Sequence, residues 1–208
     1  MAVYSLPNTH LVLASASASR QQMLSGAGLD FTAIPAAVDE DALKAAARAE
    51  NMSAADAATM IAEMKARKIS ALEPDAFVLG SDQLLVCGDR WFSKPETKQD
   101  AAETLRVLSG QTHQLVTAAV VYQHGQRIWH QVESPEVSIR SLSNDDITDY
   151  ITAMGADIYV TPGVYMIEGL GAQIISAIKG CPYSVLGLPL LHLLAFLRGH
   201  ELAMKEQL

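Results

Sequence analysis

The sequence predicts an α/β fold built on a mixed sheet flanked by helices. Three observations point to it. Half of the 208 residues are apolar and 18% are charged, a balance that builds a core and excludes disorder as the main state. Short apolar runs of strand length alternate with longer stretches of helical periodicity. Finally, the runs Leu115–Tyr122 and Ile128–Val132 meet across His124-Gly125. That is a hairpin signal, and a strictly parallel sheet has none. A chain of this length can bury roughly 70% of its unfolded surface without disulfide or metal staples.

In order, Leu11–Ala14 reads as a buried strand and Ser15–Ser19 as a small polar loop. Arg20–Ala27 is a short helix stopped by Gly26 and Gly28. Phe31–Ile34 is extended and ends at Pro35. Asp41–Glu50 and Ser53–Leu72 are Ala-rich helices. Ser53 and Asp56 have capping-box spacing, and Met60, Ile61, Met64 and Ile69 form the expected buried stripe. Phe77–Gly80 and Leu84–Cys87 read as two strands around a short break, and Trp91-Phe92 resumes after the Gly88-Asp89 turn. Lys98–Leu108 is helical; Val137–Arg140 extends the hairpin's sheet; Ser143 caps a helix over Asp145–Met154. Tyr165–Ile167 and Ile174–Ile178 flank a glycine-rich loop, and Gly187-Leu188-Pro189 opens a last helix to about Leu197. With no repeat, linker or boundary visible, residues 1–208 read as a single domain whose tail frays after about 199.

Composition removes several function classes. The net charge of −8 argues against holding polymeric nucleic acid by bulk charge, although a small anion needs only a few local cations. Cys87 and Cys181 form no CxxC pair, so neither a disulfide framework nor a cysteine zinc site is expected. Residues 1–15 carry no cationic leader. The most apolar run, Val185–Leu197, contains Pro189 and His192 and is too short to span a bilayer. A cytoplasmic protein with no membrane partner is therefore expected. There is no Walker A loop, GxSxG elbow or HExxH motif, and the histidines lack ligand spacing. His113, at the head of an apolar strand, reads as a hydrogen-bonded positional residue.

Five segments can carry chemistry. Ser15, Ser17 and Ser19 alternate just before Arg20 at a helix start. Backbone N–H groups, the helix dipole and a forked cation there suit a phosphate, and the same serines also suit an ordinary N-cap. In Gly80-Ser81-Asp82-Gln83 a carboxylate follows a buried strand. Asp82 can hold a divalent metal or orient a water, or simply bond its own turn. Lys94 is held extended by Pro95 and can neutralise a phosphate, as can any solvated surface lysine. Asp39-Glu40-Asp41 complements a helix dipole, and one of the three can also reach a metal; Lys65 on the long helix is similarly open. Gly169 and Gly171 permit close backbone approach to a ligand, and Glu168 beside them can accept hydrogen bonds from a base edge. Ile174 stands where a dinucleotide fingerprint needs its third glycine.

Taken together and in this order, the segments resemble the Maf family of nucleotide pyrophosphatases. The likeness runs from about Leu11 to Leu197. The family's serine-rich opening loop appears as Leu13-Ala14-Ser15-Ala16-Ser17-Ala18-Ser19-Arg20, and its VDE element as Val38-Asp39-Glu40. Its helix lysine appears as Lys65, its G[AS]D[TQ] element as Gly80-Ser81-Asp82-Gln83, and its GKP as Ser93-Lys94-Pro95. Its SGxTHxVxT run appears as Ser109–Thr117, and its late glycine run as Gly169-Leu170-Gly171 with Gly187-Leu188-Pro189-Leu190. Gln83 and Glu168 resemble the 7-methyl-GTP subgroup rather than the dTTP/UTP subgroup. Ser19 departs from the Arg or Trp that the family carries there, Ser93 replaces a glycine, and Thr161–Tyr165 lacks a usual lysine.

The resemblance implies a Maf-like, inosine-triphosphatase-like fold with two lobes around a nucleotide cleft. It implies hydrolysis of a non-standard nucleoside triphosphate, 7-methyl-GTP preferred, to the monophosphate and pyrophosphate. Asp82, Glu40 and Lys94 would be catalytic, with Asp82 and Glu40 holding Mg²⁺ or Mn²⁺. Ser15, Ser17, Ser19, Arg20, Lys65, Gln83 and Glu168 would bind substrate. A dTTP/UTP pyrophosphatase and a non-catalytic nucleotide-binding regulator of septum formation and cell division are the alternatives. The strands around Leu115–Val132 leave room for a homodimer.

Overall fold

The computed structural model describes residues 10–203. It is a mixed α/β fold with parallel and antiparallel strand pairs, and its chain divides into two compact units. The first comprises residues up to Gln83, Thr117–Glu133 and the chain from Tyr183 onward; the second comprises Leu84–Val116 and Ser134–Pro182.

In the first unit β1 (Leu11–Leu13) lies between β2 (Thr32–Ala33) and β3 (Phe77–Cys87), parallel to both. The first half of β3 belongs here, as does the second half of β5 (Thr112–Gln123), which pairs antiparallel with β6 (Gln126–Glu133). The expected turn between them is present, with His124 and Gly125 at φ 50° and 72°. That left-handed pair is the geometry whose twist matches a two-residue hairpin. Alternation along the strands gives the sheet two faces. Leu11, Leu13 and Leu79 join Leu24 of α1 (Ala18–Gly26) in one core cluster with residues near the C-terminus of the unit. The other face, with Gly80, meets α3 (Ala54–Ser70), which follows α2 (Glu40–Ala49).

Each of these helices starts at a residue able to accept from its free N–H groups. Ser17, Asp39 and Ser53 do so for Arg20, Ala42 and Asp56 in turn.

Two expectations are corrected here. The stretch around Ser81 is no break, because β3 runs unbroken for 11 residues. Its polar side chains keep the strand intact by finding buried acceptors: Ser81 Oγ donates to the carbonyls of Ala118 and Gly187 at 2.9 and 3.0 Å. Asp82 therefore sits within a strand, not after its end. Nor does Met64 face inward; it is 43% exposed. The buried face of α3 carries Ala58, Ala62 and Ala66, because the helix lies against Gly80. A Cβ on Gly80 would stand 2.2 Å from the Ala62 carbonyl oxygen, so only small residues fit.

The second unit holds the rest of β3 and β5, with β4 (Arg90–Phe92), α4 (Lys98–Leu108), β7 (Glu136–Ile139), α5 (Asn144–Met154) and β8 (Ile175–Lys179). β7 pairs antiparallel with both β5 and β8. Capping boxes start α4 at Thr97/Asp100 and α5 at Ser143/Asp146. Tyr165–Ile167, on the near side of the glycine-rich loop, is not a strand: Gly163–Gly169 passes through turns. Val164 carries a left-handed φ of 60° there, which a β-branched residue seldom adopts. Its carbonyl accepts from Tyr150 Oη at 3.0 Å.

His113 meets the expected role: its Nε2 lies 2.6 Å from Tyr165 Oη. Burial pushes its pKa down to about 4. The unfolded imidazole takes a proton below about pH 6.5, while the folded one stays neutral until about 4. Stability present above the upper value is therefore lost as pH falls through this window, by up to about 1.4 kcal/mol per pH unit. Urea denaturation of wild type and His113→Gln at pH 7 and pH 5 checks it. The wild type should lose more stability than the variant; equal losses would contradict this account of His113.

The last segment is a single turn α6 (Pro182–Val185) followed by α7 (Leu190–Gly199). Residues 200–203 turn back and bury Ala203. The remainder of the tail expected to fray lies outside the described residues. No helix among the described residues is long and apolar enough to cross a membrane, and Cys87 and Cys181 are free thiols.

Candidate active site

The alternation of β3 determines what each polar residue of Gly80–Gln83 meets. Gly80 and Asp82 point to α3, and Ser81 and Gln83 point to the opposite face. On α3, Ala62, Lys65 and Ala66 lie on one helix face by their i, i+3, i+4 spacing. Gly80 brings that face close, and Lys65, one turn along, reaches Asp82. Lys65 Nζ lies 2.7 Å from Asp82 Oδ1 and 2.7 Å from Glu40 Oε1. Lys65 and Asp82 are buried, whereas the Glu40 side chain is 45% exposed. Glu40 arrives as the first residue of α2, directly after its N-cap.

Asp82 is only 3% exposed. Its second oxygen, Oδ2, is buried with no hydrogen-bond partner. Such an oxygen forgoes solvation without compensation.

Arg20 lies in the first turn of α1, buried. Its Nε donates to the Gly187 carbonyl at 2.8 Å and its Nη1 to Ser15 Oγ at 3.1 Å. Ser15 Oγ also accepts from Ser17 N at 3.2 Å. Burial lowers the Arg20 pKa, and the Asp82 and Glu40 carboxylates oppose that shift. Burial likewise pushes Glu40 up, but the charge and hydrogen bond of Lys65, aided by Lys44 and Arg20, outweigh it and hold the carboxyl below its usual range. Arg20 and Lys65 thus oppose Glu40 and Asp82, and the four charges cancel. An anion entering here needs positive charge beyond this balanced set.

Gln83 is tied down on the other face. Its Nε2 donates to Thr117 Oγ1 at 2.7 Å and to the carbonyls of Ser184 and Val185 at 2.9 and 3.2 Å. With the amide nitrogen committed, its Oε1 acceptor is what remains for a ligand.

The first unit therefore brings together Ser15, Ser17, Arg20, Glu40, Lys65 and Asp82, while Gln83 lies on the opposite face of β3. Ser19 lies half-buried in the first turn of α1. Lys94 and Glu168 belong to the second unit, and both are exposed. Gly171, read as a place where a ligand can approach, has an internal reason: a Cβ would stand 2.4 Å from the Met166 carbonyl oxygen. Sequence reasoning did not single out the Gly187 carbonyl, which accepts from both Arg20 and Ser81. Its signal is Gly187 itself, held at φ 100°. Thr117 was visible only as the last residue of a motif. Among the described residues no cluster of three or more His, Cys, Asp or Glu forms a ready metal site.

This polar, charge-balanced cluster on strand and helix lies within the part of the chain that one family's sequence model covers. The model named Maf-like protein matches residues 10–200. The chain belongs to the Maf family. A nucleoside triphosphate pyrophosphatase of Rhodospirillum rubrum is 47% identical over 91% of this chain and 94% of its own length. One of Granulibacter bethesdensis is 46% identical over 92% and 97%. A 7-methyl-GTP pyrophosphatase of Mesorhizobium japonicum is 43% identical over 90% and 94%.

Proposed function

We propose that this Maf-family nucleoside triphosphate pyrophosphatase prefers 7-methyl-GTP and hydrolyses it at the Glu40–Lys65–Asp82 cluster. The orphaned Oδ2 of Asp82 carries the chemical reading. It is a buried, unspent acceptor on a carboxylate whose other oxygen is fixed by Lys65, and it suits either a cation or a water proton.

The same unpartnered oxygen supports a divalent cation here. Mg²⁺ is commonly held by one or two carboxylates together with substrate phosphates, and Asp82 and Glu40 would hold it here. When bound, the cation supplies positive charge for the departing pyrophosphate. The protein supplies the rest. Arg20 and the serine loop hold the triphosphate by forked and backbone donors. Lys65 fixes both carboxylates and keeps a positive charge beside them. Asp82 orients a water through Oδ2 and accepts its proton. The water oxygen bonds to the α-phosphorus, the bond to the bridging oxygen breaks, and pyrophosphate leaves with that electron pair.

The choice of base rests on Gln83. Its free group is an acceptor, which suits the donor edge of a guanine. Support comes also from the Mesorhizobium japonicum relative, named for 7-methyl-GTP.

Pyrophosphate release from 7-methyl-GTP, GTP, UTP and dTTP with Mg²⁺ tests the proposal. The highest kcat/KM should belong to 7-methyl-GTP. A preference for UTP or dTTP would retain the chemistry and reject the base assignment. Nucleotide binding with no turnover of any of the four would make the protein a regulator.

A further inference from the structure

The residue that selects the base is held by a carboxylate outside the catalytic cluster. Gln83 Nε2 and Thr117 Oγ1 both donate to the Ser184 carbonyl, at 2.9 and 2.8 Å. Ser184 is fully buried, and its hydroxyl donates to Glu133 Oε2. The other oxygen, Glu133 Oε1, lies 2.7 Å from His192 Nδ1. The Glu133 side chain is only 17% exposed, at the end of β6, while His192 is 54% exposed on the first turn of α7. One covered carboxylate thus ties β6 and α7 to the turn whose carbonyls hold the Gln83 amide. Nothing in the hydrolysis uses Glu133.

We propose that Glu133 is a positioning residue for base selection, acting through Ser184 on the orientation of the Gln83 amide. The chemistry follows from the two ends of an amide. While the Ser184 and Val185 carbonyls stay in place, Nε2 faces them and Oε1 is left to accept from a base. If the turn loosens, the amide can reverse and offer its NH₂ instead. A donor there suits a base edge rich in carbonyl oxygens, as in uracil, over the donor edge of guanine. Selectivity then falls, although Asp82, Lys65 and Glu40 are untouched. This inference rests on the reading of Gln83 as the residue that meets the base.

The test compares kcat/KM for 7-methyl-GTP and UTP in wild type, Gln83→Ala, Glu133→Ala, Glu133→Gln and Ser184→Ala, with thermal melting as a check of folding. Glu133→Ala and Ser184→Ala should each shift the ratio toward UTP by about tenfold through KM, with kcat for 7-methyl-GTP within about twofold, as loss of one charge-assisted anchor predicts. Glu133→Gln keeps an acceptor for the Ser184 hydroxyl and should restore most of the ratio. If Gln83→Ala moves the ratio while Glu133→Ala and Ser184→Ala lower both nucleotides alike, the inference is overturned and Glu133 is merely structural. If Gln83→Ala leaves the ratio unchanged, the reading of Gln83 itself fails. Should Glu133→Ala not fold, Ser184→Ala carries the same comparison alone.

Discussion

Replacing Gly80 by alanine should destabilise the protein by about 3 kcal/mol, at the upper end of what overpacking a close contact costs. The new methyl would stand 2.2 Å from the Ala62 carbonyl oxygen and 2.9 Å from Ala66 Cβ. No real Cβ tolerates the first distance, and the obstructing atom is backbone, so no rotamer change relieves it. The α3 backbone must move away from β3. Lys65 lies between Ala62 and Ala66 on that face, so the shift also carries its ammonium away from Asp82. Stability and activity should therefore fall together. Urea denaturation and kcat of the folded fraction measure the two. Ala66→Gly in the Gly80→Ala background should rescue little, because the nearest clash is with the Ala62 carbonyl. A Gly80→Ala variant as stable as wild type would show that the helix and strand do not depend on this close approach.

Gly80 also shows what could be read from the sequence and what could not. The alternation of apolar runs, the cap residues Ser53 and Ser143 and the His124-Gly125 turn are local signals; the two capped helices lie within a residue or two of expectation and the turn is where it was expected. The Ser81-Asp82-Gln83 stretch failed as a local signal. Polar residues in sequence suggest a break, but each finds a partner far along the chain, such as Ala118, Lys65 or Ser184. The strand continues because those partners exist. Met64 failed for a related reason: hydrophobicity places it inside, whereas the steric demand of Gly80 rotates Ala62 and Ala66 into the contact. The residues of the proposed site could be named because a family order made single ambiguous residues informative together. Glu133 was not, since no spacing near it hints at Ser184, 51 positions away.

Asp82→Asn should reduce kcat by about a thousandfold or more, as expected when an essential proton acceptor becomes an amide. Asparagine preserves the volume, and one of its amide atoms can still meet Lys65. It no longer offers a charged oxygen at the position of Oδ2, so neither water activation nor cation binding survives there. Lys65 keeps Glu40 at 2.7 Å as a counter-charge, so the buried ammonium is not left alone and the fold should hold. Nucleotide binding through Arg20 and the serine loop should persist, which separates this loss from a collapse of the site.

The most direct test of the account is therefore one comparison: steady-state pyrophosphate release by wild type and Asp82→Asn at saturating nucleotide and Mg²⁺, with melting temperatures taken on the same samples. The account predicts a variant that melts within a few degrees of wild type and retains no more than about a thousandth of its kcat. A folded variant within about threefold of wild type would contradict it, because the buried, unpartnered oxygen of Asp82 would then have no part in the chemistry.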